Sequence, residues 1–195
     1  MRDITIMIDA DDVLWAFIKG LCCWLNKKHG TNVSEEDVTD WHVLQYFPSL
    51  TTDEVWEPTH CDEFWATVEA RDGAIEYVKT LINEGFKVYI CTASDYRTIK
   101  PKFDQGFKRL FPFITQDQII ITKNKGLVCG DILIDDGIHN LENWRFKKVL
   151  MTAPHNQSYD AEANGLRRVN SWREAYDAIH EYAREIIGDS KDESN

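Results

Sequence analysis

The apolar positions of this chain fall into two rhythms. Short, near-continuous apolar runs occur at Ile4–Ile8, Val88–Cys91, Ile119–Ile121, Ile132–Ile134 and Val149–Met151. Each has the length of a strand buried on both faces. Between them lie stretches with helical spacing. The first runs from about Val13 to Lys28 and is stopped by His29-Gly30. Asp72 is placed to cap a helix through Glu84, with Ile75, Val78, Leu81 and Ile82 on one face and Gly85 closing it. Further helices are expected around Phe103 to Leu110 and from a Ser171 cap to about Ile187. Five buried strands alternating with helices predict an α/β fold: a three-layer α/β/α, Rossmann-like core around a parallel sheet.

Residues 31–70 break this rhythm. Trp41, Phe47, Trp56, Phe64 and Trp65 are interleaved with Pro, Thr, Asp and Glu, and no strand alternation is present. The pattern predicts a core built from residues 1–17 and 71–188, with residues 18–70 inserted after the first strand as a small helical cap. Residues 189–195, small and polar, read as a flexible tail. Trp24 and Trp144 read as packing residues.

Composition narrows the function. The 195 residues carry a net charge of −11, which argues against a nucleic-acid polymer as partner but not against a small anionic substrate held through a metal. Five cysteines form neither an even framework nor a CxxC pair, so reduced thiols are expected. The N-terminus enters a strand directly, unlike a signal peptide, and Val13 to Leu25 is too short and too interrupted to span a bilayer. The expectation is a cytoplasmic protein with no membrane partner.

Ligands of open parallel sheets collect beyond the carboxyl ends of the strands. Those ends carry Asp9 and Asp11, then Thr92, then Lys125, then Asp135 and Asp136. Two residues apart on extended chain, Asp9 and Asp11 project to one side. One can attack phosphorus while the other handles a proton. Clustered carboxylates repel unless a cation intervenes, and Mg²⁺ is the hard, oxygen-liganded choice. Lys125 adds positive charge and Thr92 a hydroxyl donor, completing a set for phosphoryl transfer. Neither a Walker A loop nor a Rossmann glycine fingerprint is present.

The order Ile8-Asp9-Ala10-Asp11-Asp12-Val13-Leu14, Cys91-Thr92-Ala93, Lys125, Ile134-Asp135-Asp136 resembles the four motifs of the haloacid-dehalogenase-like superfamily. The second Asp marks its phosphatase members. Thr122-Lys123-Asn124-Lys125, Leu133-Ile134-Asp135-Asp136 and Thr152-Ala153-Pro154-His155-Asn156-Gln157 are similar to segments of the 5′(3′)-deoxyribonucleotidases. The resemblance implies Asp9 as nucleophile and metal ligand, and Asp11 as acid/base with its carbonyl on the metal. It implies Asp136 as third protein ligand, supported by Asp135, and Thr92 and Lys125 as phosphate holders. Phe17, Trp41, Trp56 and Phe64 would line a base pocket, while His155 and Asn156 are read as holding a loop.

Three departures bear on substrate preference rather than reaction type. Asp12 stands where Gly is usual, Ala93 replaces a small hydroxyl residue that Ser94 would have to replace functionally, and Gly137 follows the Asp pair in place of a basic residue. The expected activity is a Mg²⁺-dependent phosphomonoesterase acting on nucleoside monophosphates through an aspartyl-phosphate. The alternative is a sugar phosphate or other small monoester as substrate. A response-regulator receiver uses similar residues but places its acidic pair first, and an inert nucleotide binder would not need both Asp9 and Asp11. The oligomeric state is left open, a homodimer included.

Overall fold

The computed structural model describes residues 3–142 and 145–192. Six parallel strands form one sheet in the order β3-β2-β1-β4-β5-β6. In chain order the elements are β1 (Thr5–Ile8), α1 (Phe17–His29), α2 (Thr52–Trp56), α3 (Asp62–Thr67), α4 (Ala74–Asn83) and β2 (Lys87–Thr92). They continue with α5 (Tyr96–Pro101), α6 (Lys108–Leu110), β3 (Ile119–Ile121), β4 (Ile132–Asp135), α7 (Ile138–Leu141), β5 (Lys147–Met151), β6 (Arg167–Val169) and α8 (Trp172–Asp192). Strand β1 is central, in register with β2 through Ile8↔Ile90 and with β4 through Ile8↔Ile134.

Alternation along the strands builds a core on each face. Ile6, Ile8, Ile132 and Ile134 point into the larger core with Val78, Leu81, Trp172, Ala175 and Ile179 from α4 and α8. Met7, Cys91, Leu133 and Leu150 point the other way, against Leu141, Phe146, Ala161 and Leu166. The insert after β1 is helical as expected, with α1, α2 and α3 linked by short 3₁₀ turns. Gly30, at φ 70°, ends α1 in the left-handed conformation that a side chain resists. No helix among the described residues is long and apolar enough to cross a membrane.

Several local expectations are corrected. The sheet has a sixth strand, β6, beyond the five expected: Arg-Arg-Val, with only its last residue buried, carries no apolar run and pairs at the sheet edge with β5 through Val149↔Arg167. Helix α1 starts at Phe17 rather than Val13, because residues 11–16 form a turn bridged between Asp11 and Trp15. Asp72 does not cap α4; Gly73 holds that position with φ 76° and no side-chain bond. The helical stretch expected at 103–110 begins at Tyr96, capped by Asp95. It passes through Pro101 into a π-helical turn, Lys102–Phe107. Ser171 Oγ does accept from Glu174 N at 3.2 Å, and α8 then runs to Asp192. Residues 193–195 of the expected tail, and Trp144, lie outside the described residues.

Candidate active site

The strand ends bring the predicted chemistry together. Asp9 N donates to Ile134 O at 2.9 Å, which continues the β1–β4 ladder one residue past β1 and sets the Asp9 side chain beside those of β4. Carboxylate oxygens of Asp9, Asp135 and Asp136, all buried, lie within 4.8 Å of one another. Lys125 Nζ sits 2.7 Å from Asp9 Oδ1 and donates to Asp135 Oδ2 at 2.5 Å. Burial pulls the Lys125 pKa down, but the carboxylates of Asp9 and Asp135 outweigh this and raise it.

Asp135 is saturated. Besides Lys125, its Oδ1 accepts from Gly137 N at 2.8 Å and Asn140 Nδ2 at 3.0 Å. This arrangement accounts for Gly137. A Cβ there would come within 2.9 Å of Asn140 Nδ2, 3.0 Å of His139 Cε1 and 3.1 Å of Asp135 Oδ1, so a side chain at 137 would require these side chains to shift. Asp136 is freer: His155 Nε2 lies 3.3 Å from its Oδ2. Asn156, fully buried, donates to the carbonyls of Asp136 and Met151 at 2.9 and 2.8 Å and thereby ties the loop after β5 to the motif.

Burial first, then the neighbouring Asp135 and Asp11 charges, push the Asp9 pKa up to about 6 against the pull of Lys125. Burial likewise raises Asp135 and Asp136. Lys125 serves Asp9 and Asp135, and only His155 faces Asp136; the excess of buried carboxylates is what a divalent, oxygen-seeking cation offsets. The donor set, all oxygen, fits Mg²⁺.

Asp11 stands at the rim. Lys102 Nζ donates to its Oδ2 at 2.6 Å and to Thr92 Oγ1 at 2.9 Å. Trp15 Nε1 donates to its Oδ1 at 2.8 Å. Lys102 is itself 2% exposed and opens the π-helical turn, a feature frequent at functional sites. Sequence reasoning misses it because its neighbours Lys100 and Lys108 are ordinary surface lysines, and no spacing rule connects residue 102 with residue 11. Ala93 is exposed and offers no hydroxyl, whereas the Ser94 hydroxyl is buried and has no partner among the described residues.

Asp12 has φ 58°, the left-handed conformation in which Gly is usual and Asp is tolerated. Its carboxylate accepts from Arg71 Nη2 at 2.8 Å and from Ile18 N at 3.2 Å. Burial, followed by the Asp136 charge, pushes its pKa up to about 8 against Arg71. Arg71 also pairs with Glu35.

Of the four aromatics expected around a base, Phe17, Trp56 and Phe64 pack together and Trp41 lies apart. Phe17 lies nearly parallel to Trp56, with ring centroids 6.4 Å apart and planes at 9°. Phe64 is fully buried behind them, edge-on to Phe17 and Trp24, so it packs the cap and does not face an open site. Trp41 lies elsewhere, half-exposed over His139 and His155 at 4.6 and 5.2 Å. An apolar groove of about 550 Å³ is lined by Lys19, Gly20, Trp24 and Lys27 along α1, separate from the carboxylates.

A parallel sheet with an Asp pair leaving its central strand and a helical cap inserted directly after is the architecture of haloacid-dehalogenase-like hydrolases. Solved structures agree. A HAD family hydrolase from Deinococcus radiodurans R1, with bound phosphate and sodium, matches with TM-score 0.67 at 15% identity over 93% of this chain and 96% of that one. A putative HAD hydrolase from Bacillus subtilis bound to magnesium matches with TM-score 0.54 at 16% identity over 90% and 98%. At the finer level, residues 2–186 match the family described as 5′ nucleotidase, deoxy (pyrimidine), cytosolic type C protein. A 5′(3′)-deoxyribonucleotidase of Bacillus subtilis (strain 168) is 30% identical over 171 residues, covering 87% of this chain and 94% of the relative. The chain belongs to this nucleotidase family, and it is a phosphoric monoester hydrolase.

Proposed function

We propose that this enzyme is a Mg²⁺-dependent deoxyribonucleotidase that releases phosphate from nucleoside monophosphates through an aspartyl-phosphate on Asp9. The observation that carries the reading is the Asp9–Lys125–Asp135 chain at the end of the central strand. It holds one carboxylate oxygen of Asp9 on an ammonium and keeps the nucleophile at a fixed point. The family supplies the substrate class, because the similar Bacillus protein is named a 5′(3′)-deoxyribonucleotidase.

Asp9, Asp136 and the backbone carbonyl of Asp11 would hold Mg²⁺. When bound, the ion neutralises the clustered charge and polarises a phosphoryl oxygen. The protein's own groups do the rest. An Asp9 oxygen forms a bond to phosphorus as the bond to the leaving nucleoside oxygen breaks. Asp11 gives its proton to that oxygen, then takes one from the water that attacks the aspartyl-phosphate, so that orthophosphate leaves, Asp9 is restored as a carboxylate and Asp11 as the acid. Lys125, Thr92 and the unpartnered Ser94 hydroxyl stabilise charge on the phosphoryl oxygens. Trp56, partly exposed and backed by the buried Phe17, offers an aromatic face to the base. The five cysteines are free, which suits a reducing compartment, and we place the enzyme in the cytoplasm.

The test is phosphate release across a panel of deoxyribo- and ribonucleoside monophosphates and sugar phosphates. Deoxyribonucleotides should give the highest kcat/KM. A sugar phosphate turned over faster than every nucleotide would replace this reading with that of a small-monoester phosphatase.

A further inference from the structure

Trp15 is wholly buried, yet its one polar atom reaches the rim of the site, donating to Asp11 Oδ1 at 2.8 Å. Its ring is wedged between the two parts of the molecule. Phe107 lies 4.7 Å away on the core side, and Trp65 of cap helix α3 lies 5.7 Å away, nearly edge-on. Gly106 makes room behind it, since a Cβ there would stand 3.3 Å from Trp15 Cη2. The backbone around it is also tied. Trp15 bridges to Ala70, Ala16 N donates to Glu69 O at 2.9 Å, and Arg71 N donates to Leu14 O at 2.9 Å. An indole that cannot turn is a donor with one direction.

We propose that Trp15 is a positioning residue for the acid/base carboxylate, fixing the plane of Asp11 for proton transfer before substrate arrives. This rests on Asp11 being the acid/base group of the proposed function. Lys102 holds Oδ2 alone and would leave the carboxylate free to pivot about that contact. A second donor on Oδ1 removes the pivot. A general acid must meet its proton acceptor within hydrogen-bond reach, and supporting residues locked by packing are what hold such a geometry. The competing explanation is that Asp11 merely satisfies a buried indole. Removing the N–H while keeping the ring separates the two, because only a positioning role makes catalysis depend on that donor.

Trp15→Phe removes the donor. Replacing Trp15 with 3-benzothienylalanine removes it with almost no change in shape and serves if the phenylalanine variant folds poorly. Each is assayed on a deoxyribonucleoside monophosphate, whose leaving oxygen needs a proton, and on p-nitrophenyl phosphate, whose leaving group needs little help. Asp11→Asn is run in parallel. Because general acids contribute about 10²–10⁴-fold, misalignment should lower kcat on the nucleotide by about tenfold more than on the aryl ester, with nucleotide KM little changed. If Asp11→Asn shows that split and the Trp15 variants do not, the positioning role is overturned and the acid role stands. If Asp11→Asn loses equally on both substrates, the acid role fails and the positioning role fails with it.

Discussion

Replacing Lys125 with Met should destabilise the metal-free protein by about 3 kcal/mol at neutral pH, and the structure sets both the size and the pH dependence. Lys125 touches Asp9 at 2.7 Å and Asp135 at 2.5 Å, with side-chain exposures of 3%, 10% and 0%. Solvent screening is therefore slight. Removing one partner of a buried pair costs roughly 3–5 kcal/mol, because the other charge is left uncompensated. Protonation limits that cost. Asp9 already has a pKa of about 6 with the lysine present, so taking up a proton at pH 7 costs only about 1.4 kcal/mol per unit of difference. Linkage sets the sign. The folded state holds the Asp9 proton up to about pH 6, whereas the unfolded chain releases it near the ordinary 3.8. The folded state thus binds more protons in that window, and stability falls as pH rises through it. Without Lys125 the folded pKa climbs further and the window extends upward, so the deficit against wild type should be larger at pH 7 than at pH 5. Urea unfolding in excess chelator, followed by tryptophan fluorescence at both pH values, measures it. Adding Asp135→Asn should recover a large part of the loss by removing one orphaned charge. A deficit under about 1 kcal/mol, or one that grows on acidification, would refute the reasoning.

Three further outcomes are expected. Asp9→Asn should fold normally and retain less than about a hundredth of the wild-type rate, since an amide cannot form the phosphorylated intermediate; steady-state phosphate release decides this. Chelation should abolish turnover and Mg²⁺ restore it, and Mg²⁺ should also raise the unfolding midpoint, continuing to rise with the logarithm of its concentration above the dissociation constant; full activity in excess chelator would give the carboxylate cluster another purpose. Trp56→Ala should lower kcat/KM on nucleotides by about ten- to a hundredfold while sparing p-nitrophenyl phosphate, as loss of a base-stacking face does. Trp41→Ala, placed over His139 and His155 instead, should show a smaller nucleotide-specific effect, and the reverse ranking would relocate the base.

The features legible in the chain are those that one dimension encodes. The buried strands β1, β2, β4 and β5 are legible because burial on both faces forces continuous apolar runs. Asp9, Asp11, Thr92, Lys125, Asp135 and Asp136 are legible because a parallel sheet delivers strand ends to one edge. Strand β6 is not, since Arg-Arg-Val carries no apolar run. The start of α4 is hidden because backbone torsion at Gly73, rather than a side-chain cap, turns the chain. The Lys102 contact with Asp11 joins residues 91 positions apart through a helix that changes its hydrogen-bond pattern midway. The aromatic insert is recognisable by composition, but composition carries no direction. Only packing separates Phe64, sealed in the cap, from Trp41, half in water.

The departures at positions 12 and 137 are best understood through the partners the fold supplies. Gly137 answers Asp135: the carboxylate that fixes Lys125 accepts from the Gly137 amide and Asn140, and a side chain at 137 would crowd the Asn140 amide. Asp12 answers Arg71: the extra carboxyl beside the cluster accepts from a guanidinium at 2.8 Å, which itself reaches Glu35 in the insert. Arg71 lies directly on the chain's return from the insert, where its amide bonds to Leu14. One residue that breaks the usual motif therefore joins the catalytic loop, through Arg71, to the insert. In a glycine-bearing loop that link would have to come from elsewhere. Asp12 costs desolvation of a buried carboxyl, which Arg71 and the Ile18 amide offset only in part, and in exchange the insert is anchored close to the nucleophile.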